Sequence, residues 1–252
     1  MVFVGSQLFL KESSHLAPVV KNVTAPFVAA NIFQSLWTAS FRPKYSNGLN
    51  KFISVANLSG IAYSLSIAHA AYSGKSTPKT YTTIEFCQYL LPISLHFGWT
   101  TAASLVNLNG MVSIGESVSA TTVALLGQLS VIGGTAIGVF VTTERSAPIY
   151  GGVIAWALAA VASGLSQRLK ESKDEDPNRV GIYGARLQRV LAILGSITSL
   201  GSSFLTTKEG QKILKEVLAS EQWELLSQQL ALLSEHLTVL LAKLPELPAG
   251  LR

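Results

Sequence analysis

Charge is scarce in this chain and cysteine almost absent. Charged residues make up 13% of the sequence, against ~25% in an ordinary soluble domain. Between Asn22 and Gln167 only nine charged side chains occur, clustered between long uncharged runs. One cysteine, Cys87, excludes an internal disulfide and any cysteine-based metal cluster. Set within an apolar run, it reads as a small buried hydrophobe. Enzyme signatures are missing too: HExxH, GxSxG, a P-loop and a dinucleotide glycine fingerprint do not occur. Glu85, Glu116 and Glu144 fall at the ends of apolar runs, which leaves no paired carboxylates inside them. The chain therefore reads as non-enzymatic. It also lacks the charged network of an ion-coupled pump and any inverted sequence repeat. Met1–Leu10 is apolar but has no basic n-region, and there is no Arg-rich transit peptide, so the first long apolar run is expected to act as the insertion signal.

What is present is apolar length. Hydrophobic residues make up 48% of the chain, and a spanning helix needs about 20 of them in sequence to cross a ~30 Å hydrocarbon core. Five runs meet that length: Asn22–Phe41, Phe52–Tyr72, Phe86–Met111, Ser117–Thr143 and Ala147–Gln167. Their short links make consecutive helices antiparallel neighbours. The net charge of +5 comes from basic residues at the ends of these runs, such as Arg42, Lys44, Lys51, Arg168 and Lys170. There they meet lipid headgroups, and nucleic acid is excluded as a partner.

The expected fold is all-α: a polytopic transmembrane bundle of five spans, with a sixth left open, and a C-terminal amphipathic helix. Its divisions are an N-terminal segment 1–21, a bundle 22–167, a charged linker 168–189 and a tail 190–252. Val190–Thr207 is a sixth uncharged stretch of 18 residues, rich in Ser, Gly and Thr; a re-entrant or interfacial helix is favoured there over a span. Thr206-Thr207-Lys208-Glu209 reads as a capping box. Beyond it Leu226, Leu230, Leu233, Leu237, Leu240 and Leu244 alternate steps of four and three, an apolar seam at coiled-coil period. That seam suits a helix lying on the bilayer, a partner helix or self-association. The Lys/Arg bias places Arg42, Lys44, Lys51 and the dense set from Arg168 onward on the cytoplasmic or equivalent side.

Inside a bilayer helices associate by close packing of small residues and by interhelical hydrogen bonds. Ser130, Gly134 and Gly138 form one small-residue stripe; Gly151, Ala155, Ala159 and Ser163 form another. The fourth and fifth helices are expected to pack by these faces.

Polar residues within the runs mark candidate sites, because polarity there is costly. His69 lies in the second run and His96 in the third; Thr100, Ala103 and Asn107 share the His96 face. An imidazole so placed suits axial ligation of a tetrapyrrole metal, a proton relay or an interhelical hydrogen bond. Pro92 predicts a kink in the third helix beside Gln88, Ser94 and His96. Trp99 and Trp156 lie too deep in their runs for an interfacial belt and suit an aromatic cavity. The candidate ligand-binding residues are His69, His96, Trp99, Thr100 and Asn107.

The stretch Leu91-Pro92-Ile93-Ser94-Leu95-His96-Phe97-Gly98-Trp99-Thr100-Thr101-Ala102-Ala103, continuing to Asn107, resembles a segment of tryptophan-rich sensory proteins. Those are akin to the translocator protein (peripheral benzodiazepine receptor) family. The resemblance implies a bundle of five transmembrane helices with a cavity for porphyrins and cholesterol-like ligands, and it carries over Pro92, Gly98, Trp99 and Asn107 as pocket or fold determinants. The denser tryptophan pattern of that family is not matched here. The leading expectation is a non-enzymatic, multi-pass membrane protein that binds a small apolar or tetrapyrrole ligand within its bundle. A structural or accessory subunit of a larger membrane complex, docking through the tail, is the alternative, and a transporter or channel component a third.

Overall fold

A computed structural model describes residues 10–11, 13–40, 48–73, 81–114, 118–171 and 181–218, with the scattered positions 228, 231, 232, 234, 235 and 238. All elements among them are helical. The chain divides into two compact units, at Thr206 and Thr207. The first contains α1 (Ala17–Ala39), α2 (Ile53–Ser73), α3 (Leu91–Ser113), α4 (Ala120–Arg145), α5 (Pro148–Glu171) and α6 (Ile182–Leu205). The second contains α7 (Lys208–Leu218). The leucine seam at 226–244 and most of the charged linker lie outside the described residues.

Helix ends follow local chemistry. Thr82 caps the lead-in to α3: its hydroxyl accepts from the Glu85 backbone N–H at 3.2 Å, and the Glu85 carboxylate accepts from the Thr82 N–H at 2.8 Å. This reciprocal box satisfies two donors that a helix start leaves open. Ser119 opens α4 by accepting from Thr122 N–H at 3.1 Å. Ser146, at φ 48°, closes α4 in the left-handed conformation, and Pro148 then starts α5. At α7 the cap is Thr207, which accepts from Gly210 N–H at 3.0 Å; the box expected from Thr206 and Glu209 gives way to a one-way cap, because Gly210 has no side chain to return the bond.

Pro92 does not kink a continuous α-helix. It sits at the start of α3, directly after a π-helical segment, Phe86–Leu90. That wider turn closes through Leu91 N–H to Phe86 C=O, and proline needs no donor at a first-turn position. Cys87, on the same segment, is exposed instead of buried.

The six helices alternate direction. Facing residues set the register: Gly138 against Ile154, Thr142 against Gly151 and Gly195 against Leu158. These contacts make α4 antiparallel to α5 and α5 antiparallel to α6. Gly127 faces Gln188 and Gly195 faces Thr135, so α6 runs parallel to α4. The stretch expected to be re-entrant or interfacial falls within a 24-residue helix packed on both α4 and α5. Its Ser and Gly content lowers its hydropathy but permits close approach: Ser199 is wholly buried, and Ser196 Oγ donates to Ala155 C=O at 2.8 Å.

Among the described residues three helices are long and apolar enough to cross a membrane by length and composition: Gly48–Ser73, Ala120–Arg145 and Pro148–Lys170. Ile182–Leu205 and Lys208–Glu216 form a bent pair that is either one broken span, which adds a fourth, or a re-entrant loop as expected from the sequence. The expected count of five therefore falls to three or four on this measure. The runs concerned are helical, but Lys21, Asn22, Asn31 and Gln34 dilute α1, and Ser94, His96, Thr100, Thr101, Ser104, Asn107 and Asn109 dilute α3. Much of that polarity is internalised by bonds to the preceding turn, as from Thr101 to Phe97 C=O and from Ser104 to Thr100 C=O. Outward faces are apolar: Val28, Ile32 and Leu36 on α1, Leu125, Leu129 and Ile132 on α4, and Val190, Leu194 and Ile197 on α6. Such faces suit lipid contact.

Candidate functional site

The bundle opens a cavity of about 860 Å³ at the end where α3 and α5 finish and α4 and α6 begin. Its deep wall is aromatic. Trp99 on α3 and Trp156 on α5 each stand eight residues past the start of their helices, so two parallel helices bring them level. Their rings meet at 5.7 Å, within the range of favourable aromatic pairing. Both are more than half exposed, 52% and 59%, and both line the cavity. They therefore border an opening between the cavity and the outer face of the bundle.

Toward the bundle end the lining becomes polar. Asn107 and Asn109 come from α3, Ser130 from α4 and Gln188 from α6. Asn109 Nδ2 donates to Ser130 Oγ at 2.8 Å, and Ser54 Oγ of α2 donates to Asn107 Oδ1 at 2.8 Å. These bonds fix α2, α3 and α4 around the cavity. The charged residues of its lining, among the described residues, are Arg168 and Arg186.

The five candidate residues separate into two places. Trp99 and Asn107 line the cavity, joined by Ala103 of the same face. Thr100 is buried, 2% exposed, and its hydroxyl donates to His96 C=O at 2.8 Å. His96 is half-buried and is not part of the lining. His69 is sealed in the core at 0% exposure, with its ring 5.7 Å from Phe97 and 6.5 Å from Tyr150. Ser73 Oγ donates to His69 C=O at 2.7 Å, so the 3.0 Å contact between that oxygen and Nδ1 is best filled by an Nδ1–H donor. Nε2 is left as a buried acceptor with no hydrogen bond. Neither histidine lines the cavity. Among the described residues no three of His, Cys, Asp and Glu converge on a metal position.

Two features escaped sequence reasoning. Arg145 ends α4 and reaches back to α2: its Nη1 donates to Ser66 C=O at 2.9 Å and its Nη2 to Ser66 Oγ at 3.1 Å. The guanidinium also lies 5.8 Å from the Phe97 ring, a cation–π distance. The second is the cavity wall supplied by α6, which no local pattern links to α3.

Packed helices of alternating direction, apolar outer faces and an internal cavity define a multi-pass integral membrane bundle. The family model described as TSPO-like protein matches residues 1–182, most of the chain, and the chain belongs to that family: it is a membrane protein of translocator type. No curated protein and no solved structure matches it.

Proposed function

We propose that this protein binds a small apolar or tetrapyrrole ligand in the cavity between α3, α4, α5 and α6, without catalysing its conversion. The observation that carries this reading is the cavity itself: about 860 Å³, walled by the paired rings of Trp99 and Trp156, which are also exposed on the outer face. Ligand pockets of a few hundred to about 1,000 Å³ with mostly apolar walls and a few placed polar groups are the usual form of a small-molecule site. Flat or elongated apolar molecules would stack on the tryptophan pair, while the Asn107 and Asn109 amides set orientation. Entry from the lipid phase past Trp99 and Trp156 suits a ligand that partitions into membranes.

In this reading all six helices cross the membrane. Each has 21–26 residues, long enough at about 1.5 Å per residue to traverse a ~30 Å core. The accessory-subunit alternative rests on the leucine seam of the tail and remains a reading of the sequence alone.

The test is binding of a neutral probe, protoporphyrin dimethyl ester, to purified protein in mild detergent, followed by quenching of tryptophan fluorescence. Ala103→Phe places a ring in the cavity and is expected to weaken binding at least about tenfold, as loss of a well-filled apolar site does. Unchanged affinity in that variant would overturn the proposal.

A further inference from the structure

The cavity is asymmetric along its length. From Trp156 to Arg168 on α5 is twelve residues, about 18 Å at the helical rise of roughly 1.5 Å. One end of the lining is therefore aromatic and lipid-facing, and the other carries two guanidinium groups, Arg168 at the end of α5 and Arg186 in the first turns of α6. Both are exposed, and neither has a hydrogen bond or ion pair among the described residues. Among the described residues no carboxylate lines the cavity. The start of α6 adds to the same field. Its cap position is Gly181, which has no side chain to cover the first-turn N–H groups, and Ile182 and Ala185 of that turn also line the cavity. A helix start carries partial positive charge from these donors.

We infer that Arg168, Arg186 and the start of α6 form an anion clamp, and that the cavity takes an anionic amphiphile, with its apolar body against Trp99 and Trp156 and its acidic head between the two guanidinium groups. This deepens, and rests on, the ligand reading above. Arginine suits the role because its planar fork binds carboxylate or phosphate by paired hydrogen bonds and stays charged beside apolar surface. The family match ends at residue 182. Arg186 and most of α6 lie beyond it, so this half of the clamp is read from this chain's own structure and not from the family match.

The experiment uses the full chain in dodecyl maltoside and two pairs of probes: cis-parinaric acid with its methyl ester, and protoporphyrin with its dimethyl ester. Each free acid is expected to bind about tenfold or more tighter than its ester, the scale of a charge-assisted, bidentate pair. In the double variant Arg168→Gln/Arg186→Gln that preference disappears, while ester affinity holds and so reports an intact fold. Arg186→Lys is expected to restore part of it. Competition identifies the source of the head group: displacement of the acids by phosphatidylglycerol assigns the clamp to lipid phosphate, and resistance to it assigns the clamp to carboxylates. Acids and esters binding alike, in the parent and in the double variant, overturns the clamp and leaves the cavity reading standing. Failure of all four probes to bind removes both.

Discussion

Thr82 and Glu85 show how much a single pair can settle. Their box starts the only helical lead-in to α3 among the described residues that passes through a π segment, and it is reinforced by His15, whose Nε2 lies 3.5 Å from Glu85 Oε1. Thr82→Ala removes the cap and is expected to cost about 1 kcal/mol, which lowers the unfolding midpoint in detergent by roughly 2–4 °C for a chain of this size. The bond from the Thr82 backbone N–H, followed by its hydroxyl and by the charge of His15, holds the Glu85 carboxyl below its ordinary value. A lowered folded-state pKa means that Glu85 stabilises the fold above the ordinary carboxylate range and loses that effect as pH falls through its folded value. Glu85→Gln is therefore expected to unfold earlier than the parent at neutral pH, with the two melting curves converging as the pH falls through the folded value, under the ordinary carboxylate range. The pattern Thr-Thr-Ile-Glu at 82–85 has the same form as the one read as a box at 206–209. What the sequence withheld was which of two adjacent threonines caps each helix, because that depends on backbone angles one residue apart.

At the scale of elements, small residues decide which helices touch. The stripes on α4 and α5 are evident in the sequence, and Gly138 does meet Ile154 across that pair. The partners are otherwise more varied than two facing stripes imply. Gly134 lies against Leu105 of α3, Gly151 against both Thr142 and Ser203, and Ala159 and Ser163 face outward. The missing partner was α6, hidden because its Ser and Gly residues, which make close packing feasible, also make it look too polar to span. Gly195 illustrates the point. A Cβ there would meet Thr135 Oγ1 and come within 3.1 Å of Leu158 Cδ1, and Thr135 is itself tied to Val131 C=O at 2.8 Å. Gly195→Ala is expected to destabilise by about 1–3 kcal/mol, as overpacking does. Gly152→Ala meets nothing within 4 Å and is expected to be neutral or to stabilise by up to about 1 kcal/mol through helix propensity. Thermal unfolding of the two variants side by side separates packing from composition, and equal shifts would refute the contact.

For the whole molecule, the five long runs could be read from the spacing of charge, and all five are helices. The site could be read only in part. Trp99 and Asn107 reach the cavity because α3 contributes a continuous wall, whereas Arg168, Arg186 and Trp156 join it only through the folding of α5 and α6 beside that wall. His69 and His96 drew notice by their chemistry, yet their ring positions are set by neighbours distant in sequence. Alternation of direction has a consequence that labelling can check. If all six helices cross, α1 and α6 begin on opposite sides, and the start of α1 shares a side with the end of α6. With Cys87 replaced by serine, cysteines introduced singly at Lys51, Ser119 and Gly181 are expected to react with an impermeant maleimide from one face of sealed vesicles. Those at Ser14, Ser146 and Thr206 are expected to react from the other. Thr206 is the decisive position, since a re-entrant α6 would return it to the side of Gly181. The clamp does not hinge on this outcome: Arg168 and Arg186 reach one mouth because α5 ends where α6 begins, and among the described residues α6 lines the cavity through its first two turns, from Ile182 to Gln188.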